Sequence, residues 1–210
     1  MKRKERIYLS LFAVTAVGYF PFAHWISTTP VGTTLFLWLV VFYGIAFLVA
    51  LLAIPASLMC LLFKRYRRDA LLILILSLIY IPGCIYGIQL GQQVRMARMA
   101  AFADRSQFLV EAIEAYTRDH ARPPETLKQL VPDYLTTVPG TGMMAYPEYK
   151  YYVSADYQWW PEQNPWILLV RTPSGGPNWD MMLYFPKQDY PENGYGGWLE
   201  RVGDWAYVHE

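Results

Sequence analysis

The sequence predicts a membrane α-helical anchor of three transmembrane helices followed by an α+β outer domain, a long amphipathic helix packed on a small antiparallel sheet. Three observations predict it. Long apolar segments without Asp, Glu, Lys or Arg run through the first 92 residues. Cation clusters bracket them, with Lys2, Arg3, Lys4 and Arg6 before the first and Lys64, Arg65, Arg67 and Arg68 after the second. Beyond Gln92 the chain turns acidic, and its apolar period changes from helical spacing to alternation.

A charge at the bilayer centre costs about 2.5–3.5 kcal/mol on insertion scales, so uninterrupted apolar runs are what spanning helices require. The first segment, 7–26, has the length a helix needs to cross the hydrocarbon. The second, 33–63, is longer and must tilt, kink near Pro55 or protrude. The third starts after Asp69, which can cap its first turn, and runs over 70–90. By the positive-inside rule the N-terminus and the loop Lys64–Asp69 are cytoplasmic, so three spans place everything after Gln92 on the opposite side. A cleaved signal peptide is the alternative for the first segment. The bulky stretch Tyr19 to Trp25 offers no A-x-A-like site, and another apolar run follows at once. The expected location is a bacterial inner membrane, with the outer domain periplasmic or extracellular.

Few polar residues interrupt these segments, and no carboxylate lies inside them to serve a pump or an ion pathway. His24 beside Trp25 reads as an interfacial pair. Cys60 and Cys84 read as small apolar fillers, and the outer domain has no cysteine to build a disulfide scaffold.

Residues 93–210 hold 15 of the 17 acids and 10 of the 18 bases, a net charge of −5 against +6 for residues 1–92. An acidic surface excludes nucleic acid and anionic lipid as its partners. Phe102, Leu109, Ile113 and Tyr116 form a helical stripe that Phe108, Ala112 and Ala115 widen, with Glu114 and Arg118 as an i,i+4 pair on a polar face. Nothing between Gln92 and Met96 breaks a helix, so the third segment is expected to continue as one helix to about Asp119, with Pro82-Gly83 kinking it and Pro123-Pro124 ending it. A short turn over 125–131 follows. Strands are expected at Tyr149–Val153, Trp166–Arg171, Met181–Phe185, Leu199–Val202 and Trp205–His209, arranged as a meander with one face under the helix.

The stretch Phe108 to Pro139 (FLVEAIEAYTRDHARPPETLKQLVPDYLTTVP) resembles the globular head of type IV pilin-like proteins and type II secretion pseudopilins. Those heads have a helix ending in A-x-x-x-Y-x-x-D-H/N, then a Pro-Pro-x-x-L-x-x-L-V element, then a short sheet. Ala112, Tyr116, Asp119, His120, Pro123, Pro124, Leu127, Leu130 and Val131 fall in those places. The resemblance implies a role in an envelope secretion or pilus-type assembly. Two departures change what it implies. Upstream of this head there is neither a prepilin leader site nor a glutamate in the third apolar segment, so a permanently anchored head is expected and not a polymerising subunit. The acids Asp180, Asp189 and Glu192 lack the spacing of a calcium loop.

No zinc, nucleotide or serine-hydrolase motif is present, and no cofactor, metal or catalytic set is expected. His120 sits at a helix C-terminus, where the dipole favours it, and Glu111 and Glu114 share a solvated face. The outer domain's six Trp and eleven Tyr carry more information. Trp166 and Trp205 begin strands and are expected in the core. Trp159-Trp160 before Pro161 is the candidate partner-binding platform, its alternative being core or interface packing. The expected function is binding or scaffolding among other envelope proteins, not catalysis. The alternative is an envelope sensor or immunity-type protein that binds a glycan or a protein through its aromatic surface.

Overall fold

The computed structural model describes residues 3–32, 40–153, 164–174, 179–192 and 195–209. Among them are three α-helices, α1 (Arg3–Ser27), α2 (Val40–Cys60) and α3 (Arg67–His120), then a 3-10 turn at Leu127–Leu130. Five strands complete the fold: β1 (Lys150–Val153), β2 (Trp166–Thr172), β3 (Asp180–Tyr184), β4 (Trp198–Val202) and β5 (Trp205–His209). The chain divides into two compact units, Met1–Ile26 with Leu35–Arg95, and Ser27–Thr34 with Met96–Glu210.

In the first unit, Val41–Cys60 of α2 and the apolar part of α3 are long and apolar enough to cross a membrane. Only 11% of the α2 window and 22% of the α3 window are buried, which separates them from the core helices of a water-soluble fold. Leu48, Leu52, Leu78 and Ile85 all turn outward. The sequence predicts three spans, and among the described residues two meet the test. Tyr19, Pro21 and His24 dilute the apolar stretch of α1, although Leu11, Val14 and Phe22 on its outer face are exposed as well.

The three helices meet around Tyr43. Its ring stacks on Tyr19 at 4.3 Å and lies 5.8 Å from Tyr80, and its hydroxyl donates to the Thr15 carbonyl. Gly83, Gly87 and Gly91 recur every four residues along α3 and face α1. A Cβ at Gly87 would stand 2.7 Å from the Ala16 carbonyl oxygen and 2.8 Å from that of Val17. Small residues at this spacing let two helix backbones close to contact, as in membrane helix pairs. Cys84 is buried in this cluster, as a small filler should be, whereas Cys60 is exposed.

The second unit begins on α3, which continues unbroken to His120 as the absence of a breaker predicts. Ala121 takes a left-handed φ of 57° and stops it, with Pro123 and Pro124 following. Phe102, Leu109, Ala112 and Ile113 are buried against the sheet. Phe108 is not. It lies six residues after Phe102, about two-thirds of a turn round the helix, and is 47% exposed, while Met99 and Val110 take up the stripe instead. Ser106 also sits on this face without cost to the core. Its hydroxyl is 2.7 Å from both the Phe102 carbonyl and the Tyr149 hydroxyl. The predicted Glu114–Arg118 ion pair is not formed. An exposed pair of this kind gains only about 0.3–0.5 kcal/mol, little against the entropy of two long side chains.

The sheet is antiparallel, in the order β1-β2-β3-β5-β4. It is therefore not a plain meander. The two-residue loop Gly203-Asp204, with Gly203 at φ 60°, folds β4 and β5 into a hairpin whose second strand pairs with β3 and leaves β4 at the edge. The helix-facing side carries Leu168, Val170, Met182, Tyr184, Trp205 and Tyr207.

The opposite side is buried too, although the sequence reading covers only one face. Ile167, Leu169, Met181, Leu183, Phe185 and Val208 form a second cluster with Tyr190, Tyr195 and Trp179. Tyr190 stacks on Phe185 at 4.8 Å, and its hydroxyl accepts from the Phe185 amide at 2.9 Å and donates to the Asp204 carbonyl at 2.7 Å.

Burial pushes Tyr184 and Tyr195 up to about 12 and also raises Tyr190, Tyr151 and Tyr149. A raised phenol binds its proton more tightly folded than unfolded. Its contribution is thus complete below the ordinary phenol value of about 10 and is lost as pH rises through the folded values. The melting temperature should hold at pH 8–9 and fall steadily from pH 10 to 12, with these phenols titrating late in ultraviolet absorbance. A flat profile to pH 12 would contradict the burial.

Candidate binding site

Trp159 and Trp160 lie outside the described residues, between Val153 and Asn164. The other outer tryptophans separate clearly. Trp166 and Trp205 are 2% and 1% exposed and pack in the helix-side core, Trp166 stacking on Tyr184 at 5.5 Å. Trp179 is half-buried on the second face. Trp198 is 73% exposed on the edge strand β4, a position the sequence reading does not single out.

The segment after α3, through the turn Leu127–Leu130 to Leu135, wraps the helix end. Leu130 is fully buried, and Leu127, Tyr134 and Leu135 pack on the core. His120 stacks on Tyr116 at 4.0 Å with its Nδ1 3.0 Å from the Tyr116 carbonyl oxygen, and Tyr134 donates to Asp119 at 2.7 Å. These contacts give His120 and Asp119 structural work at a helix end. The Tyr134 hydroxyl is pushed up to about 12, chiefly by that bond to Asp119.

Beside this wrapped end lies an open groove of about 700 Å³, within the size range of ligand sites. Glu125, Leu127 and Lys128 form one wall, Val138 and Pro139 another, and Tyr149 and Tyr151 the floor next to β1. Two hydrogen bonds fix the floor: Tyr151 donates to the Pro124 carbonyl at 2.8 Å, and Tyr149 meets Ser106. Arg105 holds the loop above, donating from Nε to the Thr141 carbonyl at 3.0 Å, and burial lowers its pKa. Thr141 in turn donates to the Tyr146 carbonyl and accepts from the Met143 amide. β1 pairs with β2 and stands at the edge of the sheet, and its Tyr151 brings the groove up against a strand whose outer side has no ladder partner among the described strands. An edge of this kind accepts an extended peptide as an added strand.

Among the described residues no group of three or more His, Cys, Asp or Glu side chains converges in a way that could hold a metal ion. His209 and Glu200 meet at 3.1 Å on the exposed end of the last hairpin. No family model, curated protein or solved structure matches this chain.

Proposed function

We propose that this chain is a three-span protein of a bacterial inner membrane whose outer α+β unit docks other envelope proteins. It acts by binding, as a fixed pseudopilin-like head in a secretion or pilus-type assembly, and not by catalysis. The groove beside the edge strand β1 carries this reading, because it combines an apolar lining with flanking charges of both signs at the rim of the sheet. The third span is α1. Its exposed apolar face supports this, and Ser27–Thr34, the connection after α1, belongs to the same compact unit as the head. Arg98 ties that connection down, donating from Nε to Thr28 Oγ1 at 2.9 Å, and the Met144 amide donates to the Thr29 carbonyl at 3.2 Å.

A photo-reactive residue at Val138, in the groove, tests the docking role in cells. The expected result is a discrete adduct with another envelope protein that is missing when the same residue replaces Glu111 on the exposed helix face. No adduct at Val138, or the same pattern from both positions, would remove the groove from the account.

A further inference from the structure

We propose that a recess on the second sheet face binds an acidic sugar, a single hexose ring bearing a carboxylate. Alternation along the strands puts Lys150 and Tyr152 of β1, Leu169 and Arg171 of β2 and Met181 of β3 on this face. Lys150 stands opposite Leu169, and Arg171 is two residues on, so the two cations are diagonal neighbours roughly 7–8 Å apart at their backbones. With Trp179 they line a recess of about 190 Å³.

Two cations set side by side repel each other, and among the described residues neither has an acidic ion-pair partner. Asp180 borders the recess, but its carboxylate accepts from the Tyr207 hydroxyl at 2.6 Å on the helix-facing side. This pair also runs against the charge of its surroundings, since residues 93–210 carry a net −5. An anion that bridges Lys150 and Arg171 relieves the repulsion, and the guanidinium fork suits a carboxylate held by two parallel bonds. The aromatic flank narrows the ligand further. Trp179 and Tyr152 offer apolar ring surface to the C–H face of a sugar, which a bare inorganic anion would not use. The recess is smaller than a typical pocket for drug-sized ligands, so it takes one ring and not an extended chain. It lies on the opposite sheet face from the docking groove and does not rest on the docking role.

Glucuronate, methyl glucoside and inorganic phosphate are the probes, titrated against the full chain in detergent micelles by calorimetry or saturation-transfer spectroscopy. Saturable glucuronate binding is expected, with no methyl glucoside binding at the same concentration and phosphate at least tenfold weaker. Arg171→Gln and Lys150→Ala should each weaken glucuronate at least tenfold. Both side chains are exposed, so the melting temperature and the Val138 adduct should stay unchanged. Absence of glucuronate binding, or binding by either variant as tight as by the unsubstituted chain, would overturn the site. Phosphate binding as tight as glucuronate would overturn the sugar and leave only an anion site.

Discussion

Phe102→Ala should cost the outer unit about 3–5 kcal/mol, the usual loss for a fully buried aromatic. Phe102 is fully buried at the centre of the helix stripe. Its ring meets Trp205 edge-on at 5.3 Å and stacks on Tyr149 at 5.9 Å, and the Arg105 guanidinium lies 5.1 Å above it. Truncation opens a cavity between helix and sheet and also strips the half-buried Arg105 of the ring that receives its charge. That cation fixes the loop through Thr141, so the damage should spread to the groove wall. Phe108→Ala is the matched control, an exposed Phe on the same helix expected to stay within about 0.5 kcal/mol. In a domain of this size the two should differ by roughly 10 °C or more in melting temperature. Equal losses would mean that the helix buries a different face.

Gly87→Ala should destabilise the helical membrane unit by about 1–3 kcal/mol, as overpacking a tight contact does, and Gly87→Leu by more. The clash is with backbone, since the added Cβ would meet two α1 carbonyl oxygens at under 3 Å and neither can rotate away. Gly18→Ala on α1 gives the opposite expectation. Nothing lies within 4 Å of its added Cβ, and removing a helical glycine gains about 0.5–1 kcal/mol. Melting of the helical signal in micelles should therefore move in opposite directions for the two alanines. Stabilisation at both sites would dissolve the α1–α3 seam.

The elements were legible wherever the signal is local. A charge-free apolar run needs no partner to declare itself, and the unbroken stretch from Gln92 to Met96 is enough to carry α3 to His120. The five strands announce themselves by alternation in the first, by short apolar runs in others, and by the turn residues between them. Features set by pairing were not legible. Nothing local says that Trp205–His209 inserts beside β3, because strand order depends on contacts far apart in the chain. Burial of the second sheet face did leave a trace, since Trp166–Val170 is a continuous apolar run of the kind that doubly covered strands show. The four-residue spacing of Gly83, Gly87 and Gly91 is equally visible in the sequence, but its meaning depends on α1 lying against it. The Lys150–Arg171 pair comes together only through register, 21 residues apart in the chain. Phe108 was misplaced because adjacency to Leu109 made it look like part of the stripe, while the helical angle sends it to the other side.

Membrane topology tests the central claim most directly. A phosphatase or fluorescent reporter fused after Glu210 should report the outside of the cytoplasmic membrane, and one placed within Lys64–Arg68 should report the cytoplasm. That pair of signals requires an odd number of crossings between the two fusion sites, the one that α3 supplies, and puts the α+β unit where envelope partners can reach it. A cytoplasmic signal from the fusion after Glu210 would contradict the orientation and the docking role together.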